Sequence, residues 1–496
     1  MDREQILGRV ADHPNPWDII IIGGGSTGVG CALDAAARGY DVLLLEQNDF
    51  GKGTSSRSTK LIHGGVRYLA QGNISLIREA LRERAILLKN APHVVRKQDF
   101  IVPCYSLRQK YYYGAGLKIY DLLAGSTRFR KAEFLSADQT IRRLPTAKRE
   151  GLKGGILYSD GQFDDTRLLI DIARTADANG AALLNHSRVT AFSKDAQGTV
   201  TGIEFEDVIG GRRITASGRI VINAAGAFCD RVRKMSDADA KPLVTLSQGI
   251  HLVFDRGILP TDAAIMIPKT SDGRVLFCIP WNGYTLIGTT DTPIAEAELE
   301  PIALENEIDL VLKNAARYLD VPIDRKNVLS IFAGVRPLVR SDGSKATAAL
   351  SRGYSIEIDS AGLLTITGGK WTTYRRMAEE AIDRAAKLAG LEPRPSSTIN
   401  LPIADGSTSG GDVAPIHRAF PYTVSDVQQA VRNDMAQTVE DVLARRTRAL
   451  FLNAEAAIEM APQVARIMAK ELKKDEKWIE NQMIAFEQTA RSYKLS

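Results

Sequence analysis

Residues 18–22 set four isoleucines in a row behind one aspartate, the unbroken β-branched pattern of a strand buried on both faces. Glycines follow at once, and residues 29–38 read as an Ala-rich helix that Gly39 stops. Residues 41–46 form a second apolar run ending in Glu46. The pattern predicts a strand–turn–helix–strand unit of about 30 residues, the start of a doubly wound parallel sheet. Residues 74–90 follow a helical period, with Glu79, Arg82, Glu83 and Arg84 on the polar side. Residues 200–222 and 245–290 alternate apolar and polar positions around Gly210-Gly211, Asp272-Gly273 and Asn282-Gly283, which predicts antiparallel strands. A short strand is expected over 363–367 and a helix over 372–389. Residues 404–411 have linker composition, and 424–494 read as nearly all helix.

Composition narrows this picture. A length of 496 residues suggests roughly three domains. Hydrophobic residues at 44% and charged residues at 25% exclude wholesale disorder. The net charge of +5 does not demand a nucleic-acid partner, but residues 91–155 hold 13 Lys/Arg against 5 Asp/Glu, a local net of +8. Cys31, Cys104, Cys229 and Cys278 form no CxxC pair, so neither a disulfide framework nor a zinc site is expected and a reducing compartment is the default. His13, His93, His186 and His417 lack ligand-like spacing, so no metal is predicted. No apolar run reaches the ~18 residues of a membrane span, and the charged first 18 residues do not read as a secretory signal.

The glycine turn carries chemistry. Gly23-Gly24-Gly25-Ser26-Thr27-Gly28 fits GxGxxG between a strand and a helix, where backbone amides and the helix dipole face a pyrophosphate. Glu46 ends the second strand, placed to accept both hydroxyls of an adenosine ribose, and it argues against a 2′-phosphate. Three further segments favour FAD over NAD. Thr54-Ser55-Ser56-Arg57-Ser58-Thr59-Lys60 suits a loop threading close to phosphates and a ribityl chain, with a solvated polar loop as the plainer option. Ala225-Gly226 closes an apolar strand in small residues. Thr367-Gly368-Gly369-Lys370-Trp371-Thr372-Thr373 starts a helix whose dipole can face the negative edge of a reduced flavin.

These residues, with Leu61-Ile62-His63-Gly64-Gly65-Val66-Arg67-Tyr68-Leu69, Gly288-Thr289-Thr290-Asp291, Gly334-Val335-Arg336-Pro337-Leu338 and Gly368 to Arg375, closely resemble the FAD-dependent glycerol-3-phosphate dehydrogenases, bacterial quinone-linked type. The resemblance runs from about residue 17 to 390. It implies an α/β FAD-binding domain of the glutathione-reductase-type Rossmann class, an antiparallel-sheet substrate or capping domain, and a helical C-terminal domain. The expected segments are 1–75, 156–240 and 345–395 for the first, 76–155 and 241–344 for the second, and 396–496 for the third. It implies oxidation of sn-glycerol 3-phosphate to dihydroxyacetone phosphate by hydride transfer from C2 to flavin N5. Electrons would pass to membrane quinone from a cytoplasmic enzyme held peripherally on the inner face of the cell membrane. The cofactor set expected is Gly23, Gly25, Ser26, Thr27, Gly28, Glu46, Thr54, Ser55, Ser56, Ser58, Lys60, Leu61, His63, Gly64, Ala225, Gly226, Gly369, Lys370, Thr372 and Thr373.

The substrate chemistry asks for more. A phosphate dianion calls for converging cations, and Arg67, Arg336, Arg352, Lys370 and Arg375 are the candidates, with Tyr68 and Thr290 adding hydroxyl contacts. Loss of the C2 hydroxyl proton calls for a base. His251, on an expected strand of the capping domain, matches a family histidine near the substrate and is the candidate, with a plain core histidine as the alternative. Arg336 near C2 could steady the developing alkoxide, and Lys370 completes the catalytic set. Residues 107–123 mix tyrosines and leucines with Arg108, Lys110 and Lys118, which suits an anionic lipid surface or a solvated helix. A longer polyol phosphate such as erythritol 4-phosphate, oxygen as acceptor, and an RNA-binding flavoprotein stay open as other readings. The lack of an RNA module weighs against the last. Oligomeric state is open, a homodimer among the options.

Overall fold

The computed structural model describes residues 1–66, 73–340, 353–406 and 414–495. Four isoleucines, Ile19–Ile22, make the strand at the centre of a six-stranded sheet, and the first three are fully buried. The sheet order is Tyr354–Ile358, Leu364–Gly368, Val221–Asn223, Ile19–Ile22, Val42–Leu45, Ala182–Leu184, parallel except at the first pair. Helix Ser26–Ala37 packs on it through buried Val29, Ala32, Leu33 and Ala36. Apolar runs of this kind need cover on both faces. Helices Asp165–Ala178 and Tyr374–Leu388 lie beside Ser26–Ala37.

One expectation is corrected here. Val221–Asn223 is not part of an antiparallel set but a parallel neighbour of the first strand, with Ile20 opposite Val221. Its consecutive Val221 and Ile222 are both buried, which an alternating half-exposed strand would not allow. Val200–Asp207 and Arg212–Ser217 are antiparallel as expected, in a three-stranded sheet with Ser187–Lys194.

A ten-stranded sheet holds the rest, including the long strands Val244–Asp255 and Val328–Val339, antiparallel with His251 opposite Phe332 and Ser247 opposite Arg336. It takes in Val95–Cys104 and Gly154–Phe163, two strands absent from the sequence reading, and Leu61–Ile62. Ala264–Ile267 pairs parallel with Val95–Cys104, against the antiparallel expectation for 245–290. Helices Val424–Arg432, Ala454–Leu472 and Glu476–Arg491 form the C-terminal unit, as the sequence predicts. Among the described residues no helix is long and apolar enough to cross a membrane.

Candidate active site

The ends of the parallel strands open into a cavity of about 430 Å³. At one end the glycine turn bends back on itself. Gly23 has φ +114°, and a Cβ there would meet the Ala224 carbonyl oxygen at 2.7 Å. Gly25 is the residue before helix Ser26–Ala37 and offers no capping side chain, so the positive helix end faces the cavity wall formed by Ser26 and Thr27. Glu46 accepts the Gly24 amide at 2.7 Å and the Asn48 amide at 2.9 Å. Burial pushes its carboxyl pKa up, and its remaining lone pairs are available for ribose hydroxyls. The residues fit an adenine dinucleotide: a turn without side chains, a helix start, and an acidic strand end on one wall.

The helical C-terminal unit buttresses this end. Asp49, three residues past Glu46, accepts Arg445 Nε at 2.5 Å and both terminal nitrogens of Arg446 at 2.7 and 2.9 Å. His186 Nε2 lies 3.0 Å from Asp441. Burial opposes a charge on His186, but Asp441 outweighs it and raises the pKa. Asp49, His186 and Asp441 hold ligand-type atoms within 4.8 Å of one another. The arginine contacts make this an ion network.

The hydroxyl-rich loop lines the middle of the cavity, and several of its hydroxyls also tie the loop down. Ser55 Oγ accepts the Ser26 amide at 2.9 Å, Thr54 Oγ1 donates to the Val335 carbonyl at 2.6 Å, and Ser58 Oγ donates to Asp165 at 2.7 Å. Trp371 Nε1 donates to the Ser55 carbonyl at 2.9 Å, joining this loop to the Gly368-Gly369-Lys370 turn.

At the far end the cavity meets a second one of about 900 Å³. Thr59, Leu61, His63 and Arg336 border both. Arg336 Nη2 donates to Thr289 Oγ1 at 2.8 Å. His251 Nε2 lies 3.0 Å from Thr59 Oγ1, its ring stacks on Phe332 at 4.9 Å, and its Nδ1 has no hydrogen-bond partner among the described residues. Burial, then Lys60 and Arg336, hold the His251 pKa well below its ordinary value, so the imidazole is neutral. The second cavity is lined by Phe100, Tyr112, Tyr113, Tyr158 and Phe277 on its apolar side and by Lys269, Arg274 and Arg336 among its cations.

The cavity brings together most of the expected residues: Gly23, Gly25, Ser26, Thr27, Glu46, Thr54, Ser55, Ser58, Leu61, His63, Ala225, Gly226, His251, Arg336, Gly369, Lys370 and Thr372. Others lie behind the wall. A Cβ on Gly28 would sit 1.8 Å from the Gly23 carbonyl oxygen, so this glycine sets helix against turn. Ser56 and Lys60 are buried beneath the loop. Lys60 Nζ donates to the Ser56 carbonyl at 2.6 Å and to Asp165 at 2.7 Å. Burial and the neighbouring Arg448 bring Lys60 down to about 7, since two cations share one carboxylate. The Gly64 amide donates to the Tyr120 hydroxyl, and Thr373 Oγ1 donates to the Lys370 carbonyl.

Arg375 is the clear correction. Its guanidinium is buried in a bidentate pair with Glu83, both bonds 2.8 Å, and reaches Glu379 at 2.8 Å, away from both cavities. Two carboxylates hold it in the core, and the helical period that placed Glu83 on a polar face concealed this pair. Thr290 borders the second cavity only. Arg67, Tyr68 and Arg352 lie outside the described residues. Sequence reasoning missed Thr59, although it sits inside a quoted motif, and Arg188, Arg231, Lys269 and Arg274, which no motif marks.

Comparison with known proteins agrees with this geometry. Residues 18–375 match the FAD dependent oxidoreductase family, and residues 371–479 match the C-terminal domain of alpha-glycerophosphate oxidase. The chain is 39% identical to the probable mitochondrial glycerol-3-phosphate dehydrogenase of Caenorhabditis elegans, over 92% of this chain and 70% of that protein. The chain belongs to the FAD-dependent glycerol-3-phosphate dehydrogenase family. The mitochondrial enzyme of Arabidopsis thaliana is 37% identical over 94% of this chain and 84% of its own length. The crystal structure of glycerol-3-phosphate dehydrogenase from Bacillus halodurans complexed with FAD superposes with a TM-score of 0.80 at 30% identity, covering 99% of this chain and 97% of that one. Members of this family use FAD, and the residues that line the cavity described above fit that cofactor.

Proposed function

We propose that the protein oxidises sn-glycerol 3-phosphate at C2 to dihydroxyacetone phosphate and passes the electrons to a membrane quinone. The observation that carries this reading is the junction of the two cavities, where Arg336, His63 and Thr59 border both and His251 stands on the Thr59 hydroxyl. FAD, when bound, supplies the hydride acceptor. Gly23, Gly25, Ser26, Thr27, Glu46, Gly226 and Thr372 hold it. Arg336 and Lys370 grip the substrate phosphate or its developing alkoxide, a role that cations perform best in a site shielded from water. Neutral His251 accepts the C2 hydroxyl proton through Nε2, the nitrogen shared with the Thr59 hydroxyl. Its depressed pKa keeps the base ready across the neutral range.

Quinone access and lipid contact are read from helix Leu107–Ala124. Leu107, Tyr111, Tyr112, Ile119 and Leu122 are all more than half exposed, Leu122 at 78%, with Arg108 and Lys118 exposed among them. Solvent is a poor environment for such a patch, and an anionic lipid surface is a good one. Tyr112, Tyr113 and Ile119 from the same helix line the second cavity, which gives an apolar molecule a route toward the cavity junction. The room in that cavity also favours one second reading, a longer polyol phosphate such as erythritol 4-phosphate.

Anaerobic mixing of the yellow holoenzyme with each substrate tests both. Glycerol 3-phosphate is expected to bleach the flavin faster than erythritol 4-phosphate, and a quinone analogue to restore the colour. Faster bleaching by the longer substrate would select the second reading. Reoxidation by oxygen alone with stoichiometric peroxide would replace the quinone.

A further inference from the structure

A phosphate dianion only accepts hydrogen bonds, so a wall that holds one must present donors. Thr290, on the wall of the second cavity and 2% exposed, cannot be such a donor. Its Oγ1 accepts the Ile250 amide at 3.0 Å and gives its own proton to Glu307 Oε1 at 2.7 Å. A hydroxyl has one proton and two lone pairs. What remains for the cavity is a single acceptor position.

Glu307 enforces this. Helix Glu305–Ala315 carries it to the back of the wall, where it is 2% exposed. Thr290 Oγ1 and Thr292 Oγ1 each donate to Oε1 at 2.7 Å. Gln248 Nε2 at 2.8 Å and the Leu304 amide at 3.1 Å donate to Oε2. Four donors occupy the roughly four acceptor positions of a carboxylate. The Ile250 amide cannot turn into an acceptor, so the Thr290 proton has nowhere else to go. The same carboxylate fixes Gln248, whose carbonyl accepts Arg336 Nη1 at 3.4 Å. One buried acid therefore sets the polarity of a hydroxyl and the strand that steadies the guanidinium.

We propose that Glu307 is a positioning residue that makes Thr290 the hydrogen-bond acceptor for the C1 hydroxyl of the substrate, so that the site selects a phosphate ester bearing a free terminal hydroxyl. The proposal rests on the substrate reading given above. The C2 hydroxyl loses its proton to the base during the reaction, which leaves C1 as the donor that persists in both substrate and product. Contact with a group unchanged by the reaction adds uniform binding, which lowers KM and leaves kcat largely unaffected.

The test compares sn-glycerol 3-phosphate with its 1-deoxy analogue, propane-1,2-diol phosphate, in anaerobic flavin bleaching by the full-length holoenzyme. The intact protein is expected to prefer the natural compound by roughly tenfold to a hundredfold in kcat/KM, expressed mainly in KM, because a buried acceptor left unpaired is costly. Thr290→Val removes the acceptor and should bring the ratio close to one. Glu307→Gln should do the same. Its amide has two fewer acceptor positions, so the Thr290 oxygen takes a proton from the amide and no acceptor faces the cavity. Combining the two substitutions should lower the ratio no further. Thr290→Ser keeps the hydroxyl and should keep the preference, as should Thr292→Val, which removes only a neighbouring donor to Glu307. A structural role alone would change flavin content or thermal stability and leave the ratio intact. Equal use of both compounds by the intact protein, or an unchanged ratio in flavin-replete Thr290→Val, would overturn the proposal while the substrate reading stands. If neither compound bleaches the flavin, the substrate reading fails first and the proposal with it.

Discussion

Gly28→Ala adds one methyl group at a place where the backbone leaves no room. The new Cβ would lie 1.8 Å from the Gly23 carbonyl oxygen and 3.0 Å from the Gly23 carbonyl carbon. Ordinary contact begins near 3.4 Å, so helix and turn must separate by about 1.6 Å. The obstructing atom is backbone, and no rotamer change relieves it. Overpacking of this kind costs roughly 1–3 kcal/mol or more. The larger effect falls on the cofactor. An amide moved ~1.6 Å from a phosphate oxygen at ~2.9 Å no longer makes a hydrogen bond. Each charge-assisted bond contributes about 1.5–3 kcal/mol. Losing two amounts to ~3–6 kcal/mol, a 10²- to 10⁴-fold weakening of FAD binding at ~1.4 kcal/mol per decade. Flavin absorbance per mole of protein after gel filtration, with thermal melts in parallel, reads both effects. Gly8→Ala is the matched control, since it lies in the helix Arg3–Ala11 with nothing among the described residues within 4 Å of the added atom beyond its own helix backbone and chain neighbours. It should keep full colour and gain up to ~1 kcal/mol of helix propensity. A Gly28→Ala protein that retains stoichiometric flavin and an unchanged Tm would refute the placement of the turn against the pyrophosphate.

Arg336→Ala should keep its flavin and raise KM for glycerol 3-phosphate on the order of 10²-fold or more, the usual cost of losing a charged contact to phosphate; unchanged steady-state kinetics would remove it from the site. The acid limb of kcat/KM should lie well below pH 6.5, because burial, Lys60 and Arg336 hold His251 neutral; a limb at or above the ordinary histidine value would exclude His251 as the base. The His186 pKa is raised in the folded protein, so its contribution to stability is fully present below its unfolded value near 6.5 and is lost as pH rises through the folded value. Denaturant titrations should show this alkaline loss in the intact protein and not in His186→Gln. Replacing Arg108, Lys110 and Lys118 with glutamine should weaken binding to anionic vesicles about 10²-fold, at ~1 kcal/mol per cation; an unchanged partition coefficient would move the lipid contact elsewhere.

The dinucleotide half was legible because its residues answer to local rules. Four isoleucines, a glycine turn and Glu46 each have one structural use, and together they place the cavity end. The hydroxyl loop was legible as a cofactor wall but not in its layers. Nothing in sequence separates Ser55, on the wall, from Ser56, buried one residue on. Arg375 shows the limit most plainly. Its motif position suggested substrate, while its partner Glu83 lies 292 residues away and reads as a surface charge on an amphipathic helix. Long-range ion pairs leave no periodic trace. Val95–Cys104 escaped notice because Arg96, Lys97 and Asp99 interrupt its apolar run, and Gly154–Phe163, which pairs with it over its whole length, holds three glycines that read as turns.

The arginine pair that grips Asp49 has a consequence for biogenesis. Arg446 is 397 residues downstream of the carboxylate it binds. A ribosome must therefore have released 397 further residues before the loop beside Glu46 acquires its final support. Chains cut short before Arg445 carry every glycine of the nucleotide turn yet lack the brace behind it, so the turn and its support become available to a cofactor at different times.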